Sequence, residues 1–141
     1  MRDQFNNINP IIAVAPVQVS DNTAQVGAII DTLGYDALTF VVAAGTLADP
    51  DATFTLLIEH GDQADLSDAA EVPDTELLGT EALASLAAAA DDDTTKKIGY
   101  AGYKRYVRPT LTPAANTGAA DLAVLAILGR PTAAPTPNPP A

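Results

Sequence analysis

The sequence predicts an all-β protein, a sandwich or barrel of antiparallel strands, on three observations. Short apolar segments are parted by turn chemistry at roughly regular spacing. Two of them, Tyr35 to Ala43 and Thr53 to Glu59, alternate with period two, placing Leu38, Phe40 and Val42 on one face and Phe54, Leu56 and Ile58 on another. The alanine-rich stretch Glu81 to Ala90 carries only a weak helical stripe, through Leu83 and Leu86, and is short for a stable helix; strand is the expectation there.

The first predicted strand, Ile11 to Val19, contains Pro16, which lacks a ladder donor and marks an edge or bulged strand. Ser20-Asp21-Asn22-Thr23 turns the chain into a second run, Ala24 to Ile30, closed by Asp31-Thr32-Leu33-Gly34. Between the two alternating strands, the residues from Ala44 to Asp51 place Gly45 and Pro50 where a tight turn needs special backbone angles, predicting an antiparallel pair in one sheet. Gly61 to Gly79 reads as a long acidic loop with a weak strand at Leu66 to Val72. Lys96 to Tyr100, Tyr103 to Thr112 and Leu122 to Leu128 complete the strands, with Pro109 requiring an edge or bulge. The last is apolar at every position, as suits burial on both faces: core on one side, and on the other either core, a covering arm or a subunit. The organisation is therefore an N-terminal arm (1–10), a sandwich (11–129) and a Pro-rich C-terminal arm (130–141) of extended, polyproline-like character.

With 141 residues the chain suits one domain. Alanine supplies 28 of the apolar residues and there is no Trp, so the core is modest and self-association is expected to add stability. Between Arg2 and Lys96 there is no Lys or Arg but there are seventeen Asp and Glu; five of the seven bases fall between Lys96 and Arg108. A net charge of −11 argues against nucleic acid and acidic membranes as partners. The start lacks the layout of a signal peptide, and the longest aliphatic run is too short for a bilayer, so a soluble protein is expected.

The chemistry-bearing residues are sparse. There is no cysteine, and His60, at a strand-to-turn junction, reads as a solvent-facing turn residue rather than a catalytic base. No Gly-x-Ser-x-Gly elbow or phosphate-binding glycine loop occurs, so no enzyme and no cofactor is expected. Carboxylates cluster at Asp49/Asp51, Asp62/Asp65/Asp68 and Asp91-Asp92-Asp93 without the order of a calcium loop. The distinctive feature is the basic strip holding Lys96, Lys97, Lys104, Arg105, Tyr106 and Arg108. On a strand, Lys104, Tyr106, Arg108 and Thr110 share one face opposite Val107 and Leu111, and these cations are expected to dock acidic protein surfaces.

Three stretches carry a family resemblance: Tyr35 to Thr55, Glu76 to Ala82, and Lys97 to Arg108 followed by Thr112 to Gly118. Together they resemble the capsid cement, or decoration, proteins of tailed phages and prophages, most closely those of Bordetella phages, over about residues 24 to 131. The resemblance implies a jelly-roll sandwich made in the bacterial cytoplasm, non-catalytic, bound outside an icosahedral head. Its partners would be the major capsid protein and itself, as dimer or trimer. It transfers no site residues. The alternative reading is a carbohydrate- or calcium-binding sandwich module of a surface or fibre protein, drawn from the acidic loops between Asp49 and Asp74.

Overall fold

The structure, a computed structural model, describes residues 3–87 and 90–139. Eleven strands and one short helix follow in order: β1 (Ile8–Val19), β2 (Gln25–Val26), β3 (Ile30–Asp31), β4 (Tyr35–Leu47), β5 (Thr53–Gly61), β6 (Ala70–Glu71), β7 (Leu77–Leu78), α1 (Glu81–Ala84), β8 (Leu86–Ala87), β9 (Thr95–Tyr100), β10 (Tyr106–Ala114) and β11 (Ala120–Pro131). They form two antiparallel sheets packed as a sandwich. The first runs β1-β11-β4-β9-β7; the second runs β2-β10-β5-β6, with β3 also beside β10 and β8 beside β5. Nearly every connection crosses between the sheets, which is the winding of a jelly roll.

The core lies where the inner faces meet. Leu38, Phe40 and Val42 of β4 and Phe54, Leu56 and Ile58 of β5 are all buried, as the alternation predicts. Their pairing is not as predicted. β4 continues through Ala44-Gly45-Thr46-Leu47 and lies between β11 and β9, whereas β5 lies in the opposite sheet against β10. The connection Ala48 to Ala52 is thus a crossover between sheets. Both strands must turn one apolar face inward, and opposite sheets let those faces pack on each other.

Other boundaries shift for local reasons. The run Ala24 to Ile30 is broken into β2 and β3, and Pro109 explains the break. An extended residue points its N–H and C=O to the same side, and the Pro109 carbonyl accepts from Gly27 N (2.8 Å), so the missing N–H faces that same side. There β2 and β3 part, and Ala28 N donates to Ala13 O instead. Pro109 is therefore tolerated on a strand paired on both sides by an interruption in its neighbour. Pro10 and Pro16 lie on β1, an edge strand, with Pro16 inside the irregular register between Val14 and Val17.

Of the weak strand Leu66 to Val72 only Ala70–Glu71 forms, and Leu66 has a positive φ of 52°. The expected strand Glu81 to Ala90 is instead one turn of helix, capped by Thr80 Oγ1 accepting from Leu83 N, then β8; Ala88 and Ala89 lie outside the described residues. The arms shorten as well, because Ile8 to Pro10 belong to β1 and Arg130 and Pro131 to β11. The C-terminal segment returns over the N-terminal one: Thr136 is buried, its N–H donates to Asn6 O (3.0 Å) and its hydroxyl to Ile8 O (2.7 Å). Met1, Arg2, Pro140 and Ala141, the ends of the two predicted arms, lie outside the described residues.

A Cβ at Gly27 would stand 2.5 Å from Pro109 O, a contact with backbone that no rotamer relieves. Gly27→Ala is therefore expected to lower stability by about 1–3 kcal/mol in chemical denaturation. Gly129→Ala, whose Cβ would meet nothing nearer than Ala37 Cβ at 3.7 Å, should leave the midpoint unchanged or slightly raised. Equal midpoints for the two variants would refute the close-approach account.

Candidate protein-docking surface

The two sheets present different outer faces. On the second sheet, threonines and an ion pair alternate outward: Thr112 lies opposite Thr55 and Arg108 opposite Glu59, while Val107, Pro109, Leu111 and Pro113 point inward. The first sheet has an apolar outer face. Its register aligns Ile12, Leu125, Val41 and Lys97 in one row across β1, β11, β4 and β9. A second row aligns Pro10, Ile127, Thr39, Gly99 and Leu78, and a third aligns Ala123, Ala43 and Thr95. Ile12 is 55% exposed, Leu125 37% and Leu78 66%. Among the described residues, the three aligned rows carry one charged side chain, Lys97; Asp121 lies beyond them on β11, and Asp36 and Arg130 stand at one end of β4 and β11. An apolar sheet face with few charges, on a chain of net charge −11, is the molecule's clearest candidate for a contact surface.

The all-apolar strand in the sequence pointed to this face, but its outer half was legible only as core, arm or subunit contact. β11 in fact alternates: Leu122, Val124, Ala126 and Leu128 are buried, while Ala123, Leu125 and Ile127 form the centre of the outer face. At one end a shallow hollow of about 370 Å³ opens between Pro16, Gln18, Ala43, Gly45, Asp121 and Ala123. Asp121 is held at its rim by the Gln18 side-chain amide (3.0 Å).

The basic strip is brought together differently from the expectation. Lys96 donates to Asp91 (2.8 Å) and to Ser85 O (2.7 Å). Lys104, which precedes β10 rather than lying on it, pairs with Asp62. Arg105 makes a bidentate contact with Asp31 (2.7 Å on each nitrogen) and stacks over the Tyr106 ring, 5.0 Å from its centroid. Arg108 pairs with Glu59 (2.8 Å) directly across the ladder. Thr110 follows on the same face but is buried. Of the six named residues, Lys97 alone among the cations is exposed and has no carboxylate partner among the described residues. The charges expected to attract acidic partners are instead spent largely on the chain's own acidic residues.

The carboxylates mostly close turns. Asp49 accepts from Thr117 N, Thr117 Oγ1 and Asp51 N; Asp68 accepts from Asp62 N and Gln63 N; Asp92 accepts from Leu47 N. Among the described residues, no three His, Asp or Glu stand close enough together to hold a metal ion. These bonds favour the ionised form, so Asp49, Asp65, Asp68 and Asp21 are held below the usual carboxylate range. The Arg105 guanidinium does the same for Asp31. At Asp91 burial pushes upward, but hydrogen bonds from Lys96 and Ala87 N outweigh it. Glu81 shifts the other way: burial raises it even though it accepts from Ile58 N.

His60 does not face solvent. It is buried near the end of β5, its Nδ1 is 3.0 Å from Tyr100 Oη on β9, and the rings meet edge-on at 5.8 Å. Tyr100 Oη also accepts from Lys104 N (2.9 Å), and Glu76 Oε2 lies 3.7 Å from His60 Nδ1. The cluster ties the second sheet to the first.

No family model matches the chain, and no curated protein matches it. Among solved structures, the crystal structure of PirA is 10% identical, with a TM-score of 0.42, over 84% of this chain and 94% of that one. A family two carbohydrate esterase from Cellvibrio japonicus is 10% identical, with a TM-score of 0.38, over 88% of this chain and 34% of the esterase chain.

Two outcomes follow from the ion pairs and turn carboxylates. Arg108→Ala leaves half-buried Glu59 unpaired, and is expected to cost about 0.5–1 kcal/mol in urea denaturation, less at high salt. A salt-independent or null effect would refute the pair's role. The aspartates with lowered folded-state pKa contribute stability that is full above the ordinary range, about 4, and is lost as pH falls through their lower folded values. The thermal midpoint should therefore fall steeply below about pH 4. A loss already complete by pH 5 would assign the sensitivity to other groups.

Proposed function

We propose that the chain is a structural cement, or decoration, protein that binds the outside of a tailed-phage icosahedral head and stabilises contacts between major capsid protein subunits. The single observation that carries the reading is the broad apolar outer face of the first sheet, with few charges, which suits a chain that works by lying against other protein. The sequence resemblance supplies the class of partner. Many copies, each adding a modest binding energy, would reinforce a shell collectively. The high acidity would keep an abundant surface protein soluble and away from packaged DNA.

The test mixes the purified protein with expanded heads lacking it. Stoichiometric co-sedimentation and raised heat resistance of the heads are expected, and absence of binding at both low and moderate salt would sink the proposal. Because Lys104, Arg105 and Arg108 are internally paired, substituting them by alanine should change head binding less than Leu125→Asp on the apolar face. The reverse order would move the contact to the basic strip.

A further inference from the structure

We infer that the open half of the β9 edge, Thr95 to Lys97, is a strand-addition site. Its occupant is an extended segment of another protein, with a carboxylate flanked by aliphatic residues, pairing antiparallel to β9 so that the carboxylate stands opposite Lys97. The site is the edge of the first sheet, not its outer face, and does not rest on the proposed function.

The register identifies the backbone groups that the ladder leaves over. Ala44 N donates to Thr94 O (2.9 Å), so Thr94, Lys96, Ile98 and Tyr100 turn their N–H and C=O toward β4, and the residues between them turn theirs to the other side. On that side Ala101 N donates to Glu76 O (2.8 Å), and Gly99 lies opposite Leu78 of β7. The β7 row then stops, because Gly79, with a φ of 98°, turns the chain off the edge toward α1. Among the described residues, no strand or loop hydrogen-bonds the outward backbone groups of Thr95 and Lys97.

Unpaired edge groups invite other strands, and folded proteins ordinarily guard them. The other edges of this sandwich are guarded. β1 carries Pro10 and Pro16, β6 is two residues long, and the β2–β3 side is interrupted. Thr95 to Lys97 has no proline, and its register against β4 has no bulge.

The surroundings of the edge set the chemistry of the occupant. Residues directly opposite in an antiparallel pair share a face, so the residue opposite Lys97 stands beside an exposed cation that has no carboxylate partner among the described residues. A carboxylate there completes an ion pair. Its two neighbours turn to the other face, where α1 lies beside β9 and carries the exposed Ala82 and Leu83, the latter 72% exposed. Aliphatic side chains at those two positions cover Leu83. A second β9 does not fit, because edge-to-edge pairing would bring Lys96 and Lys97 of both copies together. The mode of binding is strand addition, with affinity from main-chain bonds and selectivity from alternate side chains.

Amide hydrogen exchange of the full chain, followed by NMR, tests the inference with the synthetic probe acetyl-Val-Glu-Val-Thr-amide. Salt of about 0.15 M screens repulsion from the acidic body beyond about 8 Å. In the chain alone, the Thr95 and Lys97 amides should exchange about tenfold or more faster than those of Lys96 and Ile98. Saturating probe should slow both about tenfold, with a Kd of about 1–10 mM. Lys97→Glu should weaken this probe about fivefold and favour acetyl-Val-Lys-Val-Thr-amide instead, because the pair is restored with its sign reversed. Lys97 is exposed, so its substitution leaves the core untouched, and unchanged circular dichroism verifies the variant's fold. Thr95 and Lys97 amides already protected in the chain alone, probe binding that does not slow them, or equal binding of the two probes to the wild type overturns the inference. Head co-sedimentation separates it from the proposed function: a chain that takes the probe but ignores heads refutes the cement reading alone, and one that binds heads but never takes the probe refutes strand addition alone.

Discussion

The structure depends on the crossover after β4. The two most regular strands of the chain are consecutive in sequence, yet the turn at Ala48 to Ala52 sends them into opposite sheets, so that Phe40 and Val42 meet the layer of Phe54, Leu56 and Ile58 rather than lying beside it. Asp49 holds this crossover to the β10–β11 connection through Thr117, which fixes one end of the sandwich. With that end closed, β5 must find its partners in β10, β6 and β8, and β4 in β11 and β9. Most pairings are therefore distant in sequence, and the geometry is decided by sheet packing rather than by hairpins.

That dependence explains which features could be read from residues alone. Alternation reports which side chains share a face, and the inner faces of β4, β5 and β10 were legible from it. It does not report which strand lies alongside, because β4 and β5 look the same as a hairpin or as a crossover. The basic strip illustrates a second blind spot. Lys104, Arg105 and Arg108 are close together in sequence, but their partners Asp62, Asp31 and Glu59 lie 42 to 74 residues earlier. His60 was misplaced because a strand-to-turn position is exposed by default, whereas β9 brings Tyr100 across to cover it. Pro109, expected at an edge or a bulge, lies instead inside β10 with strands on both sides and no bulge, where a gap in its neighbour spares the missing N–H.

The acidic excess takes on a local meaning in the same light. Asp21, Asp31, Asp49, Asp65 and Asp68 each accept backbone N–H bonds within loops, doing for turns what ladder partners do for strands. A protein with many tight connections and a small aliphatic core uses carboxylates as turn acceptors, and a large negative charge accumulates at the rims. The remaining cations then serve chiefly to offset particular carboxylates. Charge sorting that looks in sequence like two blocks becomes, in space, short-range neutralisation.

What is left over is the outer face of the first sheet. Thr136 ties the described part of the C-terminal segment elsewhere, to Asn6 and Ile8 at the start of β1. β11 could have presented polar residues outward at no cost to the core, as β10 and β5 do with their threonines and the Arg108–Glu59 pair. It carries Ala123, Leu125 and Ile127 there, between Ile12 on one side and Val41 on the other. Two sheets of one sandwich, under the same folding constraint, thus solve their solvent sides in opposite ways. Ile12 and Leu125 stay exposed, so the shared folding constraint does not account for that row, and contact with other protein under the proposed function would.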